Sequence, residues 1–295
     1  MIDKNVGLVL EGGGMRGAYT SGVLDTLMDE KIKFPYVIGV SAGANNGANF
    51  VAEQRERNKK VFVDHVGDKE YSGFRHFIRE KSYFNMEFLF EKLPDELVPF
   101  DYETFSKSPV VFKVCVTDCE TGKPVYLCKS EYECKFFEQK ILRASSSLPI
   151  ISTPVEIDGK KYFDGGISDS IPIQKSIDDG NQYNVIVLTR NKGYRKEPAR
   201  IGRLGRKLLS KYPRIIEILK TRYKRYNTCL DKIDKLEKEG KVFVFRPIKK
   251  IEVDRLEKDI KKLNNLYQQG YSEAREQMND FKKWLNNVEK MAEQY

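Results

Sequence analysis

The chain has 295 residues, of which 40% are hydrophobic, and its formal net charge is +9. This composition excludes a disordered chain and allows one large domain or two smaller ones. No apolar run approaches the roughly 18 residues that a membrane-spanning helix needs, and the first residues lack the pattern of a signal peptide. The sequence therefore predicts a cytoplasmic protein.

The first half of the chain alternates strands with helices. Apolar runs predict buried strands at 6–10 and 36–40, and helical patterns follow them at 16–31 and 42–57. This alternation is typical of a parallel α/β sheet. Residues 66–108 lose the pattern and accumulate aromatic side chains, which indicates a helical excursion from the sheet.

The second half of the chain predicts two hairpins, a helix at 132–144, two further strands and a helical C-terminus. The hairpin turns are Glu120-Thr121-Gly122 and Asp158-Gly159. The predicted strands of this half lie at 110–117, 124–128, 155–157, 160–163, 184–189 and 242–245, and the last helical pattern starts at 253.

Four of the five cysteines lie close together in the sequence, at Cys115, Cys119, Cys128 and Cys134. A zinc site would favour C-x-x-C pairs, which the sequence lacks. An odd number of cysteines in a protein of this predicted location also argues against a disulfide framework. We interpret them as buried thiols and predict no metal site.

Ser41 lies at the centre of Gly39-Val40-Ser41-Ala42-Gly43, directly after a predicted strand. This is the G-x-S-x-G pattern that exposes a nucleophilic serine on a tight strand-to-helix turn. A serine needs a base to remove its proton, and histidine is the usual one. The sequence thus predicts a nucleophile and raises the question of its base.

A second glycine motif, Gly12-Gly13-Gly14-Met15-Arg16-Gly17, fits the G-x-G-x-x-G pattern of dinucleotide sites. Such sites also need an acidic residue at the end of the second strand, where this chain has Ser41. In a parallel sheet the loop at 12–14 and Ser41 share one edge. We therefore favour an oxyanion hole built from glycine N–H groups, with a dinucleotide site or a plain turn as alternatives.

The base is narrowed down by the scarcity of histidine. His65 and His76 are the only two, both precede Asp164, and both lie in the loosely patterned region, so we interpret them as surface or lid residues. The usual order of serine, acid and histidine cannot be built. Asp164, before Gly165 and Gly166, is the candidate base, although Asp-Gly-Gly taken alone is more typical of an ordinary turn.

Together these motifs resemble the patatin-like phospholipases. The matching blocks are 11–17, 39–43 and 164–166, with 144–149 as a further similar stretch, and the resemblance covers residues 5–190. Glu11 stands where many members have Asp, and Gly166 where many have Ala. The resemblance implies a three-layer αβα fold with a mainly parallel central sheet, followed here by a helical C-terminal extension.

The resemblance also implies roles for individual residues. Ser41 would be the nucleophile and Asp164 the base of a Ser-Asp dyad that cleaves acyl esters of glycerolipids through an acyl-enzyme, without metal or cofactor. The oxyanion hole would be formed by Gly12, Gly13 and Gly14. Supporting positions would be Arg16, Gly17, Gly39, Gly43, Gly165 and Gly166.

The positive charge is concentrated between Arg190 and Arg225, where fourteen Lys and Arg face two Glu. Two interpretations stay open: peripheral contact with an anionic membrane, or helices packed on the core with solvated basic faces, divided at Pro213. Nucleic acid ranks last, because no binding motif is present. The apolar stripe of this segment comprises Ile201, Leu204, Leu208, Tyr212, Ile215 and Leu219.

We therefore predict a catalytic core at 1–190 and, at 191–295, a basic helical segment with a further strand and C-terminal helices packed on that core. The predicted function is a serine hydrolase acting on lipid acyl esters. Two alternatives remain: an esterase or thioesterase for a non-lipid acyl substrate, and a non-catalytic protein that binds membrane or nucleic acid.

Overall fold

The computed structural model describes residues 5–80 and 82–292. Within these ranges eight strands form one sheet in the order β5-β6-β3-β2-β1-β7-β8, and β4 pairs with β3. The pairs along β3-β2-β1-β7-β8 are parallel, and those that involve β4, β5 and β6 are antiparallel. Strands β1 to β8 are Val6–Leu10, Tyr36–Val40, Val111–Asp118, Pro124–Cys128, Val155–Ile157, Lys160–Asp164, Tyr183–Val187 and Val242–Phe245.

Helices cover both faces of this sheet. The helices α1 to α11 are Gly17–Asp29, Ala42–Val51, Arg57–Lys59, Phe74–Glu80, Tyr102–Lys107, Cys134–Phe136, Arg143–Ser146, Ile173–Asp178, Arg203–Leu208, Pro213–Lys238 and Ile260–Ala292. Wider π-helical turns occupy Lys60–Asp64, Phe88–Leu97 and Phe137–Leu142. None of the helices in the described ranges combines the length and the apolar character needed to cross a membrane.

The alternation of side chains along β1 explains the three layers. Leu8 and Leu10 point into one core, which includes residues of α1, α2 and α11, whereas Val9 points into a second core with residues of α8 and α10. A parallel sheet buried on both faces needs such continuous apolar strands. The predicted αβα architecture with a mainly parallel sheet is confirmed.

Several predicted boundaries are wrong for identifiable reasons. Helix α2 ends at Val51 and not at 57, because Glu53 and Glu56 adopt positive φ angles of 55° and 64°. Strand β7 ends at Val187: the Leu188 N–H still donates to the Phe245 carbonyl of β8, but the Thr189 N–H turns to the Glu11 carboxylate. The last helix begins at Ile260 and not at 253. Helix α8 was not predicted.

The start of the last helix is set by Asp259, whose carboxylate accepts hydrogen bonds from the N–H groups of Lys261 (2.9 Å) and Lys262 (3.2 Å). A side-chain acceptor at this position satisfies donors that the first helical turn leaves unpaired. Farther upstream, Pro213 begins α10, so the predicted division of the basic segment into two helices is confirmed.

The C-terminal part of the chain is integrated into the fold. Strand β8 pairs in parallel with β7, and α11 packs along α1. At the crossing a Cβ on Gly22 would lie 2.2 Å from the Tyr267 carbonyl oxygen, and a Cβ on Gly270 would lie 2.2 Å from that of Tyr19. The two glycines thus allow the helix backbones to touch.

We expect Gly22→Ala to lower the free energy of unfolding by about 1–3 kcal/mol, because the added methyl group collides with a backbone oxygen that cannot yield. Alanine stabilises a helix by about 1 kcal/mol relative to glycine, so a lower free energy of unfolding can be assigned to the clash of the methyl group. Urea denaturation measures it. Gly202→Ala, where nothing lies within 4 Å of the new Cβ, is the matched control. Equal stability of both variants would contradict the close helix contact.

Candidate active site

Ser41 lies between β2 and α2 with φ 54° and ψ −126°. A positive φ is strained for a residue other than glycine, and it is typical of the sharp turn that presents a nucleophile. A Cβ on Gly39 would lie 2.7 Å from the Ala44 nitrogen, and one on Gly43 would lie 2.5 Å from the Leu10 carbonyl oxygen. The backbone can therefore pass this closely through the turn only because positions 39 and 43 carry no side chain.

Asp164 is the last residue of β6 and lies opposite Val116 of β3. Strand β2 pairs with the same side of β3, where its last residue, Val40, lies opposite Cys115, and β4 takes the other side. Ser41 follows Val40, so two side chains 123 positions apart meet at the same side of β3. Gly165 continues the turn close to β3, since a Cβ there would lie 2.2 Å from the Cys115 carbonyl oxygen.

The carboxylate of Asp164 is 2% exposed, and burial raises its pKa above the ordinary range for aspartate. Hydrogen bonds from the Ser41 hydroxyl and the Gly166 N–H, the latter 2.7 Å from Oδ1, partly oppose this shift. The positive charges of Arg222 and Arg255 act in the same direction. The structure thus brings the predicted nucleophile and the predicted base together at one side of β3.

Two serines that the sequence indicated only as part of a similar stretch hold this arrangement. The Ser41 N–H donates to Ser145 Oγ at 2.8 Å, and that hydroxyl donates to the Cys115 carbonyl at 2.7 Å. The Asp164 N–H donates to the Ser147 carbonyl at 2.8 Å. Helix α7 and its end therefore fix the backbone of both candidate catalytic residues.

The glycine loop lies beside the serine. A Cβ on Gly12 would lie 3.3 Å from the Ser41 Cβ, and Gly14 lines the same cavity as Ser41. The Gly12 N–H donates to the Ser170 carbonyl at 3.3 Å. In the part of the chain that the structure describes, the N–H groups of Gly13 and Gly14 have no acceptor. Two of the three predicted oxyanion donors are therefore free.

The remaining residues of the glycine block have structural partners. A Cβ on Gly17 would lie 2.9 Å from the Ala42 Cβ, so Gly17 lets α1 approach α2. The Glu11 carboxylate accepts from the Tyr226 hydroxyl at 2.6 Å and from the N–H and hydroxyl of Thr189 at 2.6 and 3.0 Å. The guanidinium of Arg16 is buried behind the loop.

Neither histidine lines the cavity at Ser41. His65 Nδ1 lies 2.8 Å from an Asp68 carboxylate oxygen, and His76 Nε2 lies 3.1 Å from the Lys69 carbonyl oxygen. The interpretation as a surface residue is wrong for His76, which is 6% exposed, whereas a position in a lid stays a prediction.

An apolar cavity of about 90 Å³ adjoins Ser41. Much of its wall comes from the helical excursion. Its apolar lining includes Phe62, Tyr71, Phe84, Met86, Leu89, Phe90, Leu93, Phe100, Leu142 and Leu148. Glu138 also lines it, and burial raises the pKa of that carboxyl to about 8, which keeps it neutral at pH 7. The cavity suits a hydrocarbon chain.

All five cysteines are free thiols, and Cys115, Cys119 and Cys128 are buried as predicted. Cys134 and Cys229 are half-buried. Across residues 5–80 and 82–292, no three His, Cys, Asp or Glu side chains stand together as they would to hold a metal ion.

Comparisons with known proteins agree with this geometry. A family model described as patatin-like phospholipase matches residues 8–176. The chain belongs to the patatin-like phospholipase family. The resemblance seen in the three motifs is thereby confirmed. A second model, described as a domain of unknown function (DUF6363), matches residues 212–286.

The chain is similar to three named relatives. It is 30% identical to the uncharacterized protein YjjU of Escherichia coli over 62% of its length, and 26% identical to Probable lipid hydrolase 463L of Invertebrate iridescent virus 6 over 60%. Lysophospholipase nte1 of Aspergillus terreus is 26% identical over 59%. The chain spans 52%, 65% and 11% of the lengths of these relatives.

A solved structure shares the patatin-like fold. The crystal structure of VipD from Legionella pneumophila aligns with 97% of this chain and 67% of its own chain, at a TM-score of 0.50 and 13% identity. This likeness extends past residue 176, where the patatin-like model ends, and so includes the C-terminal strand and helices.

Proposed function

We propose that this protein is a serine hydrolase that cleaves acyl esters of lipids through a dyad of Ser41 and Asp164. The observation that carries the proposal is the placement of Ser41 beside the buried Asp164 at one side of β3, at the wall of an apolar cavity. Two names among the relatives, lipid hydrolase and lysophospholipase, support a lipid substrate.

In the proposed reaction Asp164 takes the proton of Ser41 while Oγ attacks the ester carbonyl. The oxyanion accepts hydrogen bonds from the free N–H groups of Gly13 and Gly14. Loss of one such donor typically raises the activation barrier by about 2.7–4 kcal/mol. The alcohol leaves with the proton held by Asp164, and water then cleaves the acyl-enzyme. All these groups belong to the proposed catalytic core, 1–190.

The burial of Asp164 supports its role as a base. A free aspartate with a pKa of about 3.9 accepts a hydroxyl proton poorly, whereas burial makes the charged carboxylate more basic. The alternative of a non-lipid ester or thioester uses the same dyad. We favour a lipid because the cavity next to Ser41 is lined largely by aromatic and aliphatic side chains, which suit a long acyl chain.

We expect Ser41→Ala and Asp164→Asn each to lower kcat by at least about a thousandfold on a long-chain glycerol ester, because each removes one half of the dyad. A fluorophosphonate probe should label the native chain at Ser41 and should not label Ser41→Ala. Circular dichroism establishes that the variants are folded. Near-normal turnover by Asp164→Asn would overturn the dyad.

The matched control is the double variant His65→Ala/His76→Gln, in which glutamine can still donate to the Lys69 carbonyl. A loss of about a hundredfold, the lower end for a general base, would restore a histidine mechanism.

The pH profile gives an independent test. Asp164 must be ionised to act, so kcat/KM should fall as the pH drops through its pKa. Because burial raises that pKa, the acidic limb should lie above the value of about 3.9 that is ordinary for aspartate. Steady-state kinetics between pH 4 and 9, with the fold monitored at each pH, measure it. A limb at or below about pH 4 would contradict the proposed environment.

We also propose that helix α9 contacts an anionic membrane. Its Leu204 and Leu208 are 69% and 47% exposed, and the exposed cations Arg203, Arg206 and Lys207 lie beside them. An exposed apolar pair among cations suits the surface of an anionic bilayer. The stripe residues on helix α10, Ile215 and Leu219, differ from those on α9, because they pack against the protein core.

The position of α9 connects this contact with the cavity. A Cβ on Gly205 would lie 3.0 Å from the Ile150 Cδ1, and Leu148 just upstream lines the cavity. On α10, Ile215 is fully buried with Phe163. The packed-helix interpretation therefore holds for α10, and the membrane interpretation is proposed for α9.

We expect Leu204→Ser/Leu208→Ser to weaken co-sedimentation with phosphatidylglycerol vesicles by at least about tenfold, since each leucine loses apolar burial worth about 1.5–3 kcal/mol at most. Ile248→Ser, which changes an isoleucine that is 64% exposed elsewhere, is the control. Binding that is equally weakened by both changes, or that is absent in the native chain, would contradict the proposal.

A further inference from the structure

Five cations converge beside the candidate dyad, and we call Arg16, Arg190, Lys196, Arg222 and Arg255 the cationic cluster. Burial is the main cause that lowers the pKa of Arg16, and the charges of Arg190 and Arg255 lower it further. Burial likewise lowers the pKa of Lys196, to about 7, with further contributions from the charges of Arg222, Arg255 and Arg16. Arg16 alone lies within the patatin-like match at 8–176, and the other four lie beyond it.

Arg16 is the most telling member. It is 4% exposed, and its Nε has no hydrogen-bond partner. Within the described ranges the rest of its guanidinium has no acceptor on the protein either. A buried charge without a partner is costly, and an unsatisfied buried group calls for an explanation such as an absent ion. An anion is the partner that a guanidinium binds best.

The nearby carboxylates do not neutralise this cluster. Glu11 directs its oxygens to Tyr226 and Thr189. Asp164 is the proposed base and receives hydrogen bonds from Ser41 and Gly166. Two carboxylates therefore face five basic side chains. Arg190 and Arg255 form no ion pair in the part of the chain that the structure describes.

The cluster is attached directly to the catalytic loops. Arg222 Nε donates to the Gly166 carbonyl at 2.5 Å, and its Nη2 donates to Ser170 Oγ at 3.1 Å. The Arg255 carbonyl accepts from the Met15 N–H at 3.1 Å, next to the free N–H of Gly14. The cluster thus lies beside the dyad, whose serine also opens onto the apolar cavity.

The surroundings favour phosphate alone over phosphate joined to a quaternary ammonium. Aromatic faces are the usual partners of such an ammonium. The two tyrosines here already stack with cations of the cluster: the Arg190 guanidinium lies 4.6 Å from the Tyr194 ring centroid, and Lys196 Nζ lies 4.3 Å from that of Tyr226. A phosphate monoester carries up to two negative charges, which suit the several guanidinium donors of the cluster.

We propose that the cationic cluster binds a phosphate monoester on the alcohol portion of the ester, so that the preferred substrate is an acyl ester of a glycerol phosphate. The acyl chain enters the apolar cavity, the ester carbonyl lies at Ser41, and the phosphate meets Arg16, Arg222 and Arg255. This assignment rests on the proposed hydrolase function. It gives residues beyond 190 a part in choosing the substrate.

The first experiment compares lysophosphatidic acid with the monoacylglycerol and the lysophosphatidylcholine of the same acyl chain, below their micellar concentrations. We expect kcat/KM to be highest for lysophosphatidic acid. Arg222→Gln and Arg255→Gln should each lower the ratio of kcat/KM for lysophosphatidic acid to that for monoacylglycerol by at least about tenfold, as expected for a lost hydrogen bond to a charged group.

The ratio cancels any effect of these arginines on the base, because Asp164 serves both substrates. Lys224→Gln removes one charge from an exposed position of the same helix and should leave the ratio within about twofold. A ratio that does not change in either arginine variant, or that changes equally in Lys224→Gln, would overturn the assignment.

The second experiment needs no catalysis. Inorganic phosphate and glycerol 3-phosphate are titrated into Ser41→Ala, and the unfolding temperature is followed, since a ligand of the folded state raises it. We expect stabilisation that weakens at least about tenfold in apparent affinity when Arg222→Gln or Arg255→Gln is added, and that persists with Lys224→Gln.

The two experiments separate the possible failures. If no ester is hydrolysed but phosphate binds through the arginines, the hydrolase function fails and the anion site stands. If phosphate binds and the substrate ratio is insensitive to the arginines, the site takes free phosphate, and the substrate assignment is overturned. If phosphate fails to bind and the ratio is unchanged, the anion site itself is overturned.

Discussion

The carboxylate of Asp164 is removed from water, and the hydroxyl of Ser41 is among its few partners. A buried carboxylate is tolerated only where donors and positive charges surround it. The loop around it meets this requirement: the Gly166 N–H faces the carboxylate, and two arginines lie nearby. The strained turn at Ser41 and the close glycine contacts serve the same end, because they bring the hydroxyl to that carboxylate.

The three motifs of the proposed catalytic core do not account for this environment alone. Arg222 lies on α10 and Arg255 lies in the segment before α11, both beyond the patatin-like match. The same C-terminal part contributes β8 to the sheet and α11 to the core around α1. The C-terminal part thus completes the sheet and the core through β8 and α11, and it supplies positive charge near Asp164 through Arg222 and Arg255.

The sequence was most informative where a short pattern carries its own geometry. The strands at 6–10 and 36–40 and the break at Pro213 depend on local periodicity and backbone chemistry, and their bounds hold. The division of the chain at residue 190 stays a prediction. The end of α2 was missed because Glu53 and Glu56 adopt positive φ, which no pattern in the sequence signals.

The two candidate catalytic residues could be predicted from the sequence, but the residues that hold them in place could not. Ser41 and Asp164 stand out through glycine-rich motifs and the shortage of histidine. The contact of Ser145 with the Ser41 N–H joins residues 104 positions apart, and that of Tyr226 with Glu11 spans 215. Such contacts arise from packing, and nothing in the local sequence marks either partner. Of the cationic cluster, Arg190, Lys196 and Arg222 were visible only within a charge excess, Arg16 stood in the glycine motif, and no pattern marked Arg255.

The parallel pairing of β7 with β8 has a consequence for biosynthesis. A nascent chain that ends after β7 has an open edge on its sheet and an uncovered apolar face on α1, because β8 and α11 have not yet been made. Open edges and exposed apolar faces promote association between chains. The complete sheet still ends in an edge strand, β8, so the apolar face of α1 is the part that only α11 covers. A chain that stops before α11 is therefore expected to associate more readily than the complete one.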